Sequence, residues 1–211
     1  MAPWAIIPVK PFAQGKSRLA GVLAPAEREA LNRRLFERVF HAALDVIPPD
    51  RIAVVTSEAA LLAEVARRGA HGVAENAPGD LNAALALACR HAGRRGADAI
   101  LVLPADLPGI AGADVAAMRE AIGSPPCCAI APDAAGHGTN ALALAPPDAD
   151  LFRLGPQSFP AHVALAAARG LPMQIVHRPG LAQDLDTPED YRRLIGGAEA
   201  GLRADAKSVA S

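Results

Sequence analysis

Short apolar runs alternate along this chain with longer segments that have helical periodicity. The apolar runs predict strands at Ala5–Pro8, Arg51–Thr56 and Ala99–Leu103, with a further short strand near Gly72. Strands that are separated by helices are typical of βαβ units, and such units build a largely parallel sheet. The pattern therefore predicts an α/β fold.

Helical periodicity is clearest after Pro25, a proline that suits the first turn of a helix. The apolar positions that follow it form one stripe for packing on the sheet. They are Leu31, Leu35, Val39, Ala42 and Val46. Further helices are predicted at Ala59–Arg68, Leu81–Ala92, Asp114–Ile122 and Pro160–Arg169. A last helix has Thr187 as its N-cap, because Pro188 and two acidic residues come directly after it.

Composition and charge exclude several classes of protein. The chain has 211 residues, 51% of them hydrophobic and 20% charged, which excludes a disordered protein and allows one well-filled core. We expect a domain over residues 1–196 and a flexible C-terminal tail over residues 197–211. With 21 basic and 22 acidic residues the net charge is -1, so the overall charge of the protein does not attract nucleic acid or an anionic membrane. Any anion site must be local.

The cysteines and the apolar runs indicate a cytoplasmic protein. Cys89, Cys127 and Cys128 form neither a disulfide framework nor a metal-ligand spacing, so we expect buried thiols. The apolar run Trp4–Val9 is too short for the core of a signal peptide, and no later run approaches the length of a membrane span.

The loop after the first strand is a candidate phosphate site, because ligands of open parallel sheets bind beyond the carboxyl ends of the strands. It contains Lys10 and Lys16, two of the three lysines in the chain, together with Gly15, Ser17 and Arg18. Compact positive charges beside a glycine and a serine suit a phosphate cradle. A solvated basic loop is the alternative. The loop is not a P-loop, because the upstream glycine of that motif is missing.

Three carboxylates are candidate metal ligands. Asp106 follows the Ala99–Leu103 strand, and Asp184 and Asp186 stand just before Thr187. Mg2+ typically binds one or two carboxylates together with substrate phosphates. Helix capping is the alternative role for Asp184 and Asp186, but Thr187 already fills the cap.

Two further segments suit a small carboxylate. Gly136–Asn140 and Gly155–Phe159 are rich in backbone donors and hydroxyl groups, although plain turns explain either segment alone. We interpret His137 and His162 as orienting or solvated groups, because no second ligand stands at metal spacing from them.

The chain carries six motifs in a fixed order. They are Pro8-Val-Lys10 with Lys16-Ser-Arg-Leu19, Leu81-Asn-Ala-Ala-Leu85, Leu103-Pro-Ala-Asp-Leu-Pro108, Gly138-Thr-Asn-Ala-Leu142, Gly155-Pro-x-Ser-Phe159 with His162, and Asp184-Leu-Asp-Thr-Pro188. Each motif alone is weak, but the ordered set is specific. Over residues 4 to 196 it resembles the CofC/FbiD family of guanylyltransferases, MobA-like nucleotidyltransferases of coenzyme F(420) biosynthesis.

This resemblance implies a fold and a reaction. The fold is a single-domain, Rossmann-like, mostly parallel sheet with helices on both faces, the MobA-like nucleotidyltransferase fold. The reaction takes GTP, joins GMP to the phosphate of a three-carbon acid and releases pyrophosphate, with Mg2+ as cofactor. The implied acceptors are 2-phospho-L-lactate, phosphoenolpyruvate and 3-phospho-D-glycerate. The oligomeric state, with a homodimer among the options, stays open.

The resemblance also implies roles for individual residues. Asp106 and Asp186 would hold Mg2+, with Asp184 as the reserve ligand. The implied catalytic residues are Lys16, Arg18 and Asp106. The implied nucleotide-binding residues are Pro8, Lys10, Lys16, Ser17, Arg18, Asn82 and Pro104. The residues implied to bind the carboxylate of the acceptor are Thr139, Gly155 and Ser158.

One departure from the family pattern bears on the nucleotide contacts. Where Gly-Leu-Asn is expected, this chain has Gly79-Asp80-Leu81-Asn82, and we interpret Asp80 as the N-cap of the third helix.

Two alternatives to this function stay open. A sugar-nucleotide or molybdopterin-type enzyme of the same superfamily would share the first loop and the acids, but a sugar needs a roomier acceptor pocket than Gly155–Ser158 suggests. A non-catalytic nucleotide-binding module would lose the acids, whereas Asp106 and Asp186 are both present.

Overall fold

A computed structural model describes residues 3–75 and 79–196 of the chain. The strands are β1 (Trp4–Pro8), β2 (Ile52–Thr56), β3 (His71–Ala74), β4 (Ile100–Val102), β5 (Cys127–Pro132), β6 (Thr139–Ala145) and β7 (Met173–Ile175). The helices are α1 (Pro25–Leu44), α2 (Ala59–Arg67), α3 (Leu81–Gly93), α4 (Gly112–Glu120), α5 (Ser158–Ala168) and α6 (residues 188–196). The tail predicted over residues 197–211 lies outside the described residues.

The seven strands form one sheet in the order β3-β2-β1-β4-β6-β5-β7. The neighbours from β3 to β4 are parallel, as are β5 and β7, whereas β6 runs antiparallel to both β4 and β5. The prediction of a mostly parallel sheet is therefore confirmed. The apolar pattern does not predict β6, because all of its residues are buried and many are alanines, so the run has no alternation of apolar and polar positions.

Helices cover both faces of the sheet, as expected, and each face has its own core. Ala5 and Ile7 of β1 point to one core, which α1, α2 and α4 complete. Trp4 and Ile6 of the same strand point to the other, which α3 and α5 complete. Successive side chains of a strand alternate between its faces, so one buried strand serves both layers. Burial of each large apolar side chain contributes about 1.5–3 kcal/mol to this packing.

A smaller cluster of leucines lies above the first core and matters for the site. Leu31 and Leu35 of α1 contact Leu19 from the loop after β1 and Leu185 from the segment before α6, and all four are buried. Two segments distant in sequence are thereby packed on one end of α1. The stripe predicted on α1 thus serves two clusters, because Val39 and Ala42 pack in the first core.

Two helices begin earlier than predicted. α4 begins at Gly112 because Asp114 is the third residue of the helix, and its Oδ2 accepts a hydrogen bond from the Ala111 amide at 3.0 Å. α5 begins at Ser158, directly after Gln157, whose left-handed conformation (φ 56°) ends the preceding loop.

The structure also shows the state of the cysteines and the length of the helices. All three cysteines are buried free thiols, as predicted, and burial raises the pKa of Cys89 and of Cys128 to about 11. Among the described residues, the helices are all too short or too polar to cross a bilayer.

Candidate active site

The topology brings the predicted segments to one edge of the sheet. β1 and β4 are parallel and end at this edge, and antiparallel β6 begins there, so Thr139 lies beside the loops that follow β1 and β4. The edge holds a cleft of about 710 Å³. The predicted residues that line it are Pro8, Lys10, Lys16, Arg18, Pro104, Asp106, Thr139, Gly155, Ser158, Asp184 and Asp186. Ser17 and Asn82 are not among its lining residues.

The loop after β1 is held rigidly against α1. The Asn32 side chain on α1 donates to the Phe12 carbonyl at 2.7 Å, and the Phe12 amide donates to Glu58 at 3.0 Å. A Cβ on Gly15 would lie 2.5 Å from Nδ2 of Asn32, so any larger residue there would displace Asn32 from its hydrogen bond to Phe12. Lys16 follows in the left-handed region (φ 54°), a strained conformation for a lysine. These contacts and this backbone conformation therefore restrict the direction in which the Lys16 side chain leaves the loop.

Lys16 bridges two of the predicted metal ligands. Its Nζ lies 3.0 Å from Asp106 and 3.2 Å from Asp186, and its side chain is only 8% exposed. Arg18, which is mostly exposed, contacts the other oxygen of Asp186 at 3.1 Å. Burial lowers the pKa of Lys16, but the carboxylates of Asp106 and Asp186 raise it above its ordinary value. Lys16 is therefore charged at neutral pH.

Residues 176–187, here called the strap, carry Asp184 and Asp186 back to the cleft. Arg178 pairs with buried Asp114 at 2.9 Å, Asn140 donates to the Leu181 carbonyl at 2.8 Å, and the Leu185 amide donates to the Asp106 carbonyl at 3.0 Å. The Leu185 side chain is fully buried, whereas its neighbours Asp184 and Asp186 line the cleft. Burial of Leu185, together with these three contacts, holds Asp184 and Asp186 at the cleft.

The cap of α6 leaves these two carboxylates free for other contacts. Oγ1 of Thr187 accepts from the Asp190 amide at 3.2 Å, and the Asp190 carboxylate accepts from the amides of Asp186 and Thr187. Burial raises the pKa of Asp190, but these hydrogen bonds, led by that of the Thr187 hydroxyl, bring it below its ordinary value. The prediction that Thr187 caps the helix is confirmed.

The donor set at the cleft suits a hard cation. Asp106 and Asp186 converge on a single positive group, and oxygen ligands are what Mg2+ prefers. Burial and the neighbouring Asp106 carboxylate raise the pKa of Asp184, so added positive charge would favour its ionised form. Within residues 3–75 and 79–196, no three histidine, cysteine or acidic side chains form a complete cation site. A metal here would need further ligands from a substrate.

The opposite wall of the cleft is built from β6, the turn before it and the start of α5. Asp133 closes that turn, with its two carboxylate oxygens accepting from the amides of His137 and Gly138 at 2.8 Å each. The Phe159 amide on α5 donates to the His137 carbonyl at 3.1 Å. The N-terminal end of α5, at Ser158, therefore faces the cleft, where its dipole favours an anion.

Asn82 and Asp80 hold the start of α3 in place. The Asn82 amide group donates to the Leu154 carbonyl at 3.0 Å and accepts from the Leu154 amide at 2.8 Å. Asn82 thus positions the loop that leads to Gly155, which has φ 138° and so requires glycine. Asp80 accepts from the Ala83 amide at 3.1 Å, which confirms it as the N-cap of α3.

The structure adds residues that the sequence reasoning missed. Asp133 had a detectable signal, because an aspartate followed by glycines at residues 136 and 138 is typical of a turn in which the side chain binds the backbone. Asn32 had no such signal, and Asn140 was included only as part of the Gly136–Asn140 segment, without a role of its own. The partner of each is a backbone carbonyl far away in the sequence, which no local pattern indicates.

Comparison with known proteins identifies the family. A family model described as "Guanylyl transferase CofC like" matches residues 4–201. The chain belongs to this guanylyltransferase family. The resemblance predicted from the six ordered motifs is therefore confirmed, and the protein is an enzyme of the nucleotidyltransferase class.

Relatives of the family align over most of the chain. The phosphoenolpyruvate guanylyltransferase of Rubrobacter xylanophilus is 45% identical over 194 residues, which cover 92% of this chain and 94% of that protein. The 2-phospho-L-lactate guanylyltransferase of Methanothermobacter thermautotrophicus is 34% identical, with coverage of 92% and 85%. A solved nucleotidyl transferase from Methanothermobacter superposes with a TM-score of 0.63 at 20% identity, covering 92% of this chain and 95% of that one. This structural similarity confirms the predicted fold.

The close packing of the strap can be tested by substitution of Gly180. A Cβ on Gly180 would overlap Oδ2 of Asp114 and lie 2.7 Å from the carbonyl oxygen of Gly109. Neither neighbour moves easily, so we expect Gly180→Ala to lower the free energy of unfolding by about 1–3 kcal/mol. Chemical denaturation would measure this loss. Gly21→Ala is the control, since its Cβ meets nothing within 4 Å. Equal stability of the two variants would contradict the close packing of the strap.

Proposed function

We propose that this protein transfers GMP from GTP to the phosphate of a three-carbon phospho-acid and releases pyrophosphate. The observation that carries the proposal is a cleft with two different walls in a chain of the guanylyltransferase family. One wall bears Lys16, Arg18 and the aspartates, which suit phosphates and a metal. The other bears Thr139 and Ser158, which suit a small carboxylate.

Family membership supports coenzyme F(420) biosynthesis as the setting of this reaction. The acceptors under consideration are phosphoenolpyruvate, 2-phospho-L-lactate and 3-phospho-D-glycerate, each with a phosphate and a carboxylate on a three-carbon skeleton. The relative at 45% identity bears the name of phosphoenolpyruvate, which makes that acid the first acceptor to test.

Mg2+ is the proposed cofactor. Asp106 and Asp186 would hold it, with Asp184 as the alternative ligand, and the nucleotide would complete its coordination through phosphate oxygens. The ion would supply charge neutralisation between the two anionic substrates. Displacement of Lys16 from the two aspartates would free its ammonium group for the triphosphate.

The basic loop would bind and stabilise the phosphates. Lys10, Lys16 and Arg18 all line the cleft, and Lys16 and Arg18 contact its aspartates. As pyrophosphate leaves, negative charge grows on its oxygens, and fixed positive groups stabilise that charge. We propose the remaining predicted nucleotide contacts as Pro8, Ser17, Asn82 and Pro104. Asn82 would act there through the Leu154 loop that it holds.

The reaction does not call for a general base. The acceptor phosphate is already an anion at neutral pH and can attack the α-phosphorus of GTP without losing a proton. What the protein must provide is orientation of two anions that repel each other. Thr139, Gly155 and Ser158 would contribute by holding the acceptor's carboxylate, so that its phosphate points towards the aspartates.

The direct test of the function is release of pyrophosphate from GTP. With Mg2+ present, we expect release to require GTP and one of the three phospho-acids, and to be absent with sugar 1-phosphates because the acceptor contacts recognise a carboxylate. The assay runs each acceptor separately against ATP, CTP and GTP. Turnover with a sugar phosphate but with none of the acids would favour the sugar-nucleotide alternative.

Asp106 offers a test of the metal site. Asp106→Asn keeps the shape of the side chain but removes its charge, so we expect turnover to fall about a hundredfold or more, as several kcal/mol of transition-state stabilisation are lost. Steady-state turnover at saturating GTP and Mg2+ measures the effect. Asp50→Asn is the control, because Asp50 is exposed and does not line the cleft. Unchanged turnover in Asp106→Asn would refute its role.

Ser158 tests the acceptor wall separately from the nucleotide wall. Removal of a hydrogen bond to a charged group costs about 1.5–3 kcal/mol, so Ser158→Ala should raise the KM for the acceptor roughly tenfold to a hundredfold. The KM for GTP should stay near the wild-type value. Paired titrations of acceptor and GTP measure both, with Ser124→Ala, in an exposed turn, as the control. Equal losses for the two substrates would mean that Ser158 supports the whole site.

A further inference from the structure

His162 is a buried histidine whose two ring nitrogens both have partners. It lies on α5 and is 3% exposed. Its Nδ1 is 3.0 Å from Oγ1 of Thr139, which lines the cleft, and its Nε2 is 3.0 Å from the backbone nitrogen of Arg153. The ring therefore connects the acceptor wall to the loop that leads to Gly155.

The contact with Arg153 determines where the ring carries its proton. A backbone N–H can only donate, so Nε2 must accept and cannot bear a hydrogen. Burial lowers the pKa of His162 to about 4, with a smaller contribution from the Arg153 charge and against the opposing effect of a hydrogen bond to the Ser158 backbone, so the ring is neutral at pH 7. A neutral imidazole has one N–H, and it must then be Nδ1–H. This group donates to the hydroxyl oxygen of Thr139.

The direction of that hydrogen bond determines what Thr139 presents to the cleft. A hydroxyl group has one hydrogen and two lone pairs. Because Oγ1 accepts from His162, the hydroxyl hydrogen is not used on the ring and is available to a ligand. The other tautomer would reverse this bond, and Thr139 would then present only lone pairs, which repel an anion. The tautomer of the His162 ring thus determines whether the Thr139 hydroxyl presents a hydrogen-bond donor or only acceptors to the cleft.

We propose that His162 is a positioning residue that orients the Thr139 hydroxyl as a hydrogen-bond donor to the acceptor's carboxylate. The inference rests on the proposed function, and it extends the acceptor site to a residue that does not line the cleft. Ser158 lies one helical turn before His162 on α5, so both clamp hydroxyls depend on this turn of the helix. Arg153, two residues before Gly155, ties the ring to the third component of the clamp.

Two amide substitutions separate the two functions of the ring. The variants His162→Asn and His162→Gln place their amide groups near the positions of Nδ1 and Nε2, respectively. His162→Asn can still donate to Thr139, whereas His162→Gln keeps a partner for the Arg153 amide but loses the donor to Thr139. A purely structural role for the ring would not distinguish the variants in this way.

The tautomer can be measured without any substrate. In protein labelled with 15N-histidine, long-range 1H–15N correlation spectra distinguish Nδ1–H, Nε2–H and charged rings. The His162 signals among those of the six histidines are the ones lost in His162→Gln. We expect the Nδ1–H form at pH 7. An Nε2–H or a charged ring would overturn the proposal.

Kinetics then test the coupling to Thr139. We expect Thr139→Val and His162→Gln each to raise the acceptor KM about tenfold, the effect of one lost hydrogen bond to a charged group. The double variant should be no worse than Thr139→Val alone, the KM for GTP should change less than about twofold, and His162→Asn should recover most of the loss. Additive losses, or equal losses for GTP and acceptor, would overturn the proposal.

Controls separate this proposal from the proposed function. His41→Gln, on an exposed part of α1, should behave as wild type, and thermal denaturation verifies that each variant is folded. A wild-type enzyme without turnover on any of the three acids would refute the proposed function and the acceptor role together. Wild-type turnover with the wrong tautomer would refute the positioning role of His162 alone.

Discussion

The ammonium group of Lys16 holds together three parts of the chain that would otherwise repel or separate. It lies within 3.2 Å of Asp106, after β4, and of Asp186, at the end of the strap. Two carboxylates this close to each other are unstable without positive charge between them. Loss of one member of such a partly buried group leaves the others uncompensated. The arrangement of the wall that bears Lys16, Asp106 and Asp186 therefore depends on where the loop after β1 places one side chain.

Apolar packing supplies the precision that this ion pair needs. Leu19 and Leu185 flank the charged residues in sequence, and both pack on the same end of α1. Their burial fixes the backbones on either side of the ion pair, while the charged side chains remain in the cleft. On the wall that bears Thr139 and Ser158, hydrogen bonds have this role: Asn82 holds the Leu154 backbone, and His162 links Thr139 to the Arg153 backbone. Apolar packing and long-range hydrogen bonds thus both position the residues that line the cleft.

Prediction from the sequence succeeded where local signals were strong. Period-3.6 stripes located α1, and the apolar runs located β1, β2 and β4, because these signals are carried within each element. The positions of the first loop and of Asp106 after predicted strands indicated one common edge, and the family resemblance added Asp186 to it. These signals did not reveal that β6 is antiparallel, since direction is set by pairing with β4 and β5 and leaves no mark in a fully buried, alanine-rich strand.

Fold class, family and the set of residues available for chemistry can all be inferred from the amino-acid order, since they depend on local periodicity and on ordered motifs. How those residues are used depends on tertiary packing. Packing pairs Lys16 with Asp106 and Asp186. It also places the Asn82 side chain where it hydrogen-bonds the Leu154 backbone, and it brings His162 to Thr139. Each of these contacts joins residues far apart in the chain. Their partners depend on distances of about 3 Å, which only the packed sheet and helices can set.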